Sequence, residues 1–170
     1  MQRPPDVDIP EYFRLYSNQA PDGDVLATLQ GQIDETLELV KGLEEERGEF
    51  RYAVGKWSVK EVVGHLVDSE RVFAYRALSF ARGDETPLPG FEQDDYNDNG
   101  DFAERTLSDV VEEFRLLRAS NLSLFTGFSE KAWDRHGVAN GVKFRTRAIP
   151  WILAGHELHH RQVLQERYEL

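Results

Sequence analysis

The chain has 170 residues, 31 acidic against 20 basic side chains for a net charge of −11, and no cysteine. That charge would repel a phosphate backbone and an anionic membrane surface, which argues against nucleic acid and membrane partners. Disulfides, zinc ribbons, iron–sulfur ligation and a cysteine nucleophile are excluded together.

The length suits one domain over residues 1–170, able to bury about 70% of the surface of the unfolded chain. Met1 to Asp8 has neither a basic region nor an apolar core of a leader, and no apolar run approaches about 20 residues, so a cytoplasmic protein is expected. From Asp24 to about Leu43, Val25, Leu26, Leu29, Ile33, Leu37 and Val40 recur at three- and four-residue steps, predicting a first long amphipathic helix. Ser58-Val59-Lys60-Glu61 has the spacing of a capping box and opens a second helix, which runs to about Phe80 and stops at Arg82-Gly83-Asp84. Val62, His65, Val72 and Arg76 share one face of it.

Phe80 to Arg105 is rich in Pro, Gly, Asp and Asn, and a stretch of that length is expected to be a crossover or lid. A third helix begins at Thr106 or Ser108 and carries Val110, Val111, Phe114, Leu117 and Leu124 to about Phe125. Ser129 to Trp133 predicts one short helical turn. Arg135 to Arg145, with Gly137, Asn140 and Gly141 among alternating Val138, Val142 and Phe144, predicts an extended, strand-like connection. The fourth long helix starts near Thr146, tolerates Pro150 in its first turn, and reaches about Tyr168. Four such segments predict an all-α four-helix bundle, an architecture that builds metal sites from side chains on facing helices.

Three of the five histidines fall between Trp151 and Leu164. At about 100° per residue, Ile149, Ile152, Leu153, His156, His160, Val163 and Arg167 form one arc, so His156 and His160 point inward one turn apart. A single inward histidine is more often a satisfied core residue, but a pair at this step favours a metal, and His65 faces the core from the second helix. Three imidazoles leave a coordination position open, the pattern of a catalytic site. His159 is the rival for either position on the last helix. His136, in the polar connection, is expected to be exposed.

Two other motifs compete. His156-Glu157-Leu158-His159-His160 matches the H-E-x-x-H of zinc proteases, but only Glu166 and Glu169 follow as third ligands. Glu157 remains a candidate proton-handling group. Asp95-Tyr96-Asn97-Asp98-Asn99-Gly100 matches the first half of a calcium-binding EF-hand, but Thr106 stands where the bidentate Glu belongs, so an acidic turn is preferred.

Lys56 to Glu70, Pro87-Leu88-Pro89-Gly90-Phe91, and Ala154 to His160 with Glu166-Arg167-Tyr168 resemble, in order, the DinB-like superfamily of four-helix metal-binding proteins. The resemblance implies an up-up-down-down bundle with a long crossover loop, frequent homodimers, and His65, His156 and His160 as ligands of one divalent metal ion, zinc or alternatively nickel. It also implies metal-dependent hydrolysis, or transfer of a low-molecular-weight thiol to an electrophile or a related isomerisation. With no cysteine in the chain, the thiol would come with the substrate. Asp68, one turn beyond His65, could orient a neighbouring group or be an exposed helix carboxylate. Arg76 could meet an anionic substrate or pair with the bundle's own acids. The alternative to an enzyme is a non-catalytic, stress-related metal-binding dimer, and a helical interaction domain with core histidines is a further possibility.

Overall fold

A computed structural model describes residues 1–170. After a 3₁₀ turn at Asp6–Asp8 come α1 (Glu11–Ser17), α2 (Val25–Val40), α3 (Glu45–Gly48), α4 (Val59–Arg82), α5 (Gln93–Asp98), a second 3₁₀ turn (Phe102–Glu104), α6 (Leu107–Thr126) and α7 (Glu130–Trp133). A hairpin of β1 (His136–Ala139) and β2 (Val142–Arg145) leads into α8 (Ala148–Arg167).

The long helices begin where side chains can satisfy their first amides. Asp24 accepts from the Leu26 N–H at the start of α2, and Thr106 accepts from the Asp109 N–H at the start of α6. At α4, Ser58 Oγ accepts from the Glu61 N–H at 3.2 Å while Glu61 Oε2 accepts from the Ser58 N–H at 2.7 Å. This is the reciprocal box expected from the sequence. Ser58→Ala should lower stability by about 1 kcal/mol in urea unfolding; an unchanged midpoint would mean that packing alone fixes the start of α4. The helix ends at Gly83, whose φ of 78° is left-handed.

α2, α4, α6 and α8 form the four-helix bundle. α2 and α4 each pack against both α6 and α8 and lie diagonally opposite one another. Directions follow from paired residues. Gln32 reaches Ala154 and Glu35 reaches Arg161, so α2 and α8 run the same way. Tyr168 reaches back to Trp57 while His65 meets His156, so α4 opposes α8. Glu45 joins Lys60 to the Leu107 amide and Glu70 meets Arg118, so α4 and α6 are parallel. Read from α8 the helices run up-up-down-down, and in chain order up-down-down-up. Parallel α4 and α6 require the long crossover between them, which carries α5 and the Phe102–Glu104 turn.

Two apolar clusters fill the bundle. One gathers Leu29, Phe73, Ala77, Phe80, Phe125, Phe144, Ile149 and Ile152; the other gathers Ile33, Val62, Val63, Leu66, Val110, Phe114 and Leu164. The residue numbers step from one cluster to the other along every helix, and between them sits a polar layer containing Gln32, Thr36, His65, Glu70, Arg118, Asn121 and Glu157, all buried. The layer places chemistry in the middle of the bundle.

Four short features depart from the sequence expectation. Asp95 to Asn97 belong to α5 rather than to an acidic turn, and their backbone is committed to helical bonds, with the Asn99 N–H donating to Asp95 O. The extended connection is a full hairpin, turned by Asn140 and Gly141 at φ of 51° and 72°. α1 and α3 were not expected. No helix is long and apolar enough to cross a membrane.

Candidate metal centre

His65 projects from the second turn of α4, and His156 and His160 project from the middle of α8. His156 Nε2 lies 3.1 Å from His65 Nε2 and 3.1 Å from His160 Nε2, and one nitrogen of each ring falls within 4.8 Å of the others. His159 is outside this group and packs edge-on against Tyr16, with ring centroids 5.4 Å apart. All three clustered imidazoles are held neutral. Burial first, then the His159 ring, pushes His65 down to about 4. Burial and the neighbouring histidines drive His156 and His160 well below 6.5.

Neutral Nε2 atoms 3.1 Å apart either share one N–H in a hydrogen bond or hold an ion between them, and His156 Nε2, with one proton or one lone pair to offer, can serve only one of its two neighbours well. Two nitrogens bound tetrahedrally to one zinc ion at about 2.0–2.1 Å are about 3.3 Å apart, close to the separations seen here. The donor set therefore fits a divalent ion in both geometry and protonation. The charge of the layer fits as well. Arg118 forks onto Glu70 at 2.6 to 3.0 Å, donates to Leu29 O at 2.8 Å and touches Glu157 Oε2 at 2.7 Å. That last contact is an ion pair without an aligned hydrogen bond, since Glu157 Oε2 accepts none. Burial alone would lower the pKa of Arg118, but Glu70 and Glu157 outweigh it and push it up. Two carboxylates against one guanidinium leave one negative charge, which a cation among the histidines would offset.

The same layer decides between the proton-handling roles considered for Glu157. Thr36 Oγ1 donates to Glu157 Oε1 at 2.6 Å, and with Arg118 on the other oxygen the carboxylate is turned toward α2 and α6, away from the histidines. With both oxygens engaged by Thr36 and Arg118, Glu157 is not aimed at the histidines as an H-E-x-x-H base would be, and the third imidazole comes from upstream, from His65. Asp68 also faces elsewhere. Half-buried, its pKa is raised by burial and by Glu113, against Arg71 and Arg105, all on the α6 side. His136 is not free in solvent but lies 3.6 Å from Asp8, beside Arg145.

The histidines open onto a cavity of about 720 Å³ lined by His65, His156, Ser69, Arg76, Tyr16 and Phe73, and covered by Phe91 to Asp94 of the crossover and by Asn140. Arg76 forms no ion pair. Its Nη2 donates to Pro89 O at 3.2 Å and its guanidinium lies 5.0 Å over the Phe73 ring. Two walls were invisible in the sequence. Trp57 packs 4.8 Å from the His65 ring and stacks at 20° on His160. Tyr16 of α1 meets the His156 ring edge-on at 5.1 Å, and burial, followed by Tyr12, pushes its phenol up to about 12.

α1 reaches this position because Gly155 has no side chain. A Cβ there would stand 1.7 Å from Tyr16 O. A glycine inside a helical pattern was the available signal for this contact. Gly155→Ala should displace α1 and expose the histidines, seen as faster hydrogen exchange in Glu11–Ser17 with α4 and α8 protected. Unchanged exchange in α1 would show that α1 is held elsewhere.

Residues 28–164 match the DinB superfamily, and the chain belongs to that family. No curated protein matches the sequence. Among solved structures, YfiT from Bacillus subtilis, described as a probable metal-dependent hydrolase with an unusual four-helix bundle topology, superimposes with a TM-score of 0.78 at 16% identity, over 99% of this chain and 93% of that one. A DinB-like protein of Bacillus subtilis, YjoA, gives 0.62 at 18% identity over 86% and 90%. A mycothiol-dependent maleylpyruvate isomerase gives 0.67 at 12% identity; 81% of this chain is matched, spanning 58% of the isomerase. At these identities the likeness is one of fold.

Proposed function

We propose that the protein is a metal-dependent enzyme that holds one divalent ion, zinc in the first place and nickel as the alternative, on the Nε2 atoms of His65, His156 and His160. The observation that carries this reading is the convergence of three neutral imidazoles, from two helices, beside a cavity that His65 and His156 line. A divalent ion at that point lowers the pKa of a thiol or water it binds, so that the anion forms near neutral pH.

The chain's own residues supply the rest. The two helices fix the imidazoles at a step that leaves the cavity side free for an incoming group. Trp57 and Tyr16 pack against the imidazole rings and narrow the other approaches, while Phe91 to Asp94 line the cavity. Transfer of a low-molecular-weight thiol to an electrophile, or hydrolysis, are the reactions such a site supports. The thiol is brought by the substrate, because the chain has none. A solved relative in fold is a mycothiol-dependent isomerase, which supports the thiol branch. We place the protein in the cytoplasm as a homodimer.

Cobalt substitution tests the open position. Adding a small thiol or azide should change the visible spectrum of the cobalt protein. A spectrum indifferent to both would mean a closed, non-catalytic metal-holding site. Sedimentation at micromolar concentration tests the dimer, and a single monomer species would remove it.

A further inference from the structure

The cavity beside the histidines contains a buried cation that the fold leaves without a counter-ion. Arg76 is 3% exposed, yet it meets no carboxylate, only the Pro89 carbonyl and the faces of Phe73 and Phe144. Arg118, 1% exposed, shows how this chain treats a structural guanidinium: a fork onto Glu70, a contact with Glu157 and a bond to Leu29 O. In a protein with an excess of eleven negative charges, withholding a carboxylate from one desolvated arginine is unusual. A buried charge without a counter-ion is costly. Burial lowers the pKa of Arg76 with no neighbouring charge opposing it, but a guanidinium stays protonated at neutral pH.

We propose that the cavity takes a carboxylate-bearing substrate, its carboxylate forked onto Arg76 and its reactive end directed at His65 and His156. The carboxylate half of this inference stands on Arg76 alone; the reactive half rests on the metal reading above. A planar guanidinium matches a carboxylate through two parallel hydrogen bonds. Glu11, Glu92 and Asp94 also line the cavity, which disfavours a doubly charged phosphate relative to a singly charged acid.

The spacing sets the length. Arg76 stands eleven residues beyond His65, which is about 16 Å of helix rise on one face. The arginine side chain reaches back over Phe73 and covers part of that span, and the remaining gap favours an acid longer than two carbons. Phe73 and Ile152 line the cavity together with the polar Ser69, so the substrate's middle is apolar and several bonds long.

Calorimetric titration of phenylalkanoates, from phenylacetate to 6-phenylhexanoate, beside the corresponding neutral amides tests this on metal-loaded and metal-stripped protein. The longer acids should bind at least about tenfold more tightly than their amides, the size of one charge-assisted hydrogen bond. The preference should persist without metal, disappear in Arg76→Gln and survive in part in Arg76→Lys. Acids and amides binding alike, no acid binding, or a preference retained in Arg76→Gln would each overturn the proposal. Should Arg76→Gln not fold, the wild-type comparison of acid with amide and the Lys variant decide the matter. Metal content measured on the same samples separates the two readings: an Arg76-dependent acid preference in protein that never takes up metal would remove the metal reading alone.

Discussion

Arg118→Leu is expected to lower stability by about 3–5 kcal/mol. The side chain is 1% exposed and serves two carboxylates that are themselves 2% and 1% exposed, Glu70 and Glu157. Its removal leaves both carboxylates in the polar layer with no cation and frees the Leu29 carbonyl, while Asn121 and Thr36 retain only neutral hydrogen bonds to them. Replacing Glu70, Arg118 and Glu157 together by leucine should recover much of the loss, since removing a whole buried ion cluster costs far less than breaking it. Urea unfolding measures both. A loss below about 1 kcal/mol for the single variant would mean that the layer does not hold its carboxylates as desolvated charges.

The second large effect is on metal binding. His156 is the centre of the group, 3.1 Å from each of the other two nitrogens, so His156→Ala should weaken binding of zinc by more than about 100-fold, beyond the 10–100-fold that follows loss of a supporting partner. The linkage to folding gives an independent readout. Free metal at about one hundred times its Kd should stabilise the wild type by about 2.7 kcal/mol and leave His156→Ala unmoved. Chelator competition and unfolding with and without metal check the two halves. Equal stabilisation of both proteins would place the ion elsewhere.

The long helices were legible because their signals are local and redundant. Ser58 and Glu61 mark the start of α4 by side-chain chemistry alone, and the apolar steps from Val25 to Val40 define the buried face of α2. The approach of His65 to His156 and His160 was legible for a related reason: each lies on the inward arc of a long helix, and facing helices bring such arcs together.

What the sequence did not yield depends on tertiary contacts. α1 is seven residues long, too short to persist without docking, and its docking site is the space over Gly155. Tyr16 therefore could not be placed over His156. The motif string from His156 to His160 does not record what surrounds Glu157, and Thr36 and Arg118, which hold its carboxylate, come from other helices. Asp68 was judged by its step from His65, while its half-buried carboxyl answers to Glu113, Arg71 and Arg105. The Asn140-Gly141 pair is a strong hairpin signal, and the alternation around it alone predicts no more than an extended connection. Arg76 was assigned to the right face, but whether it would find a carboxylate there depends on every element packed around it.

Three imidazoles from two helices should hold one ion per chain. Elemental mass spectrometry of untagged protein, with wild type beside His65→Ala and an Asp68→Ala control, tests this most directly. The expected result is one zinc or nickel ion per chain in the wild type and in Asp68→Ala, and none in His65→Ala. Absence of metal from the wild type even after supplementation with zinc, nickel or manganese, or full metal retained by His65→Ala, would contradict it.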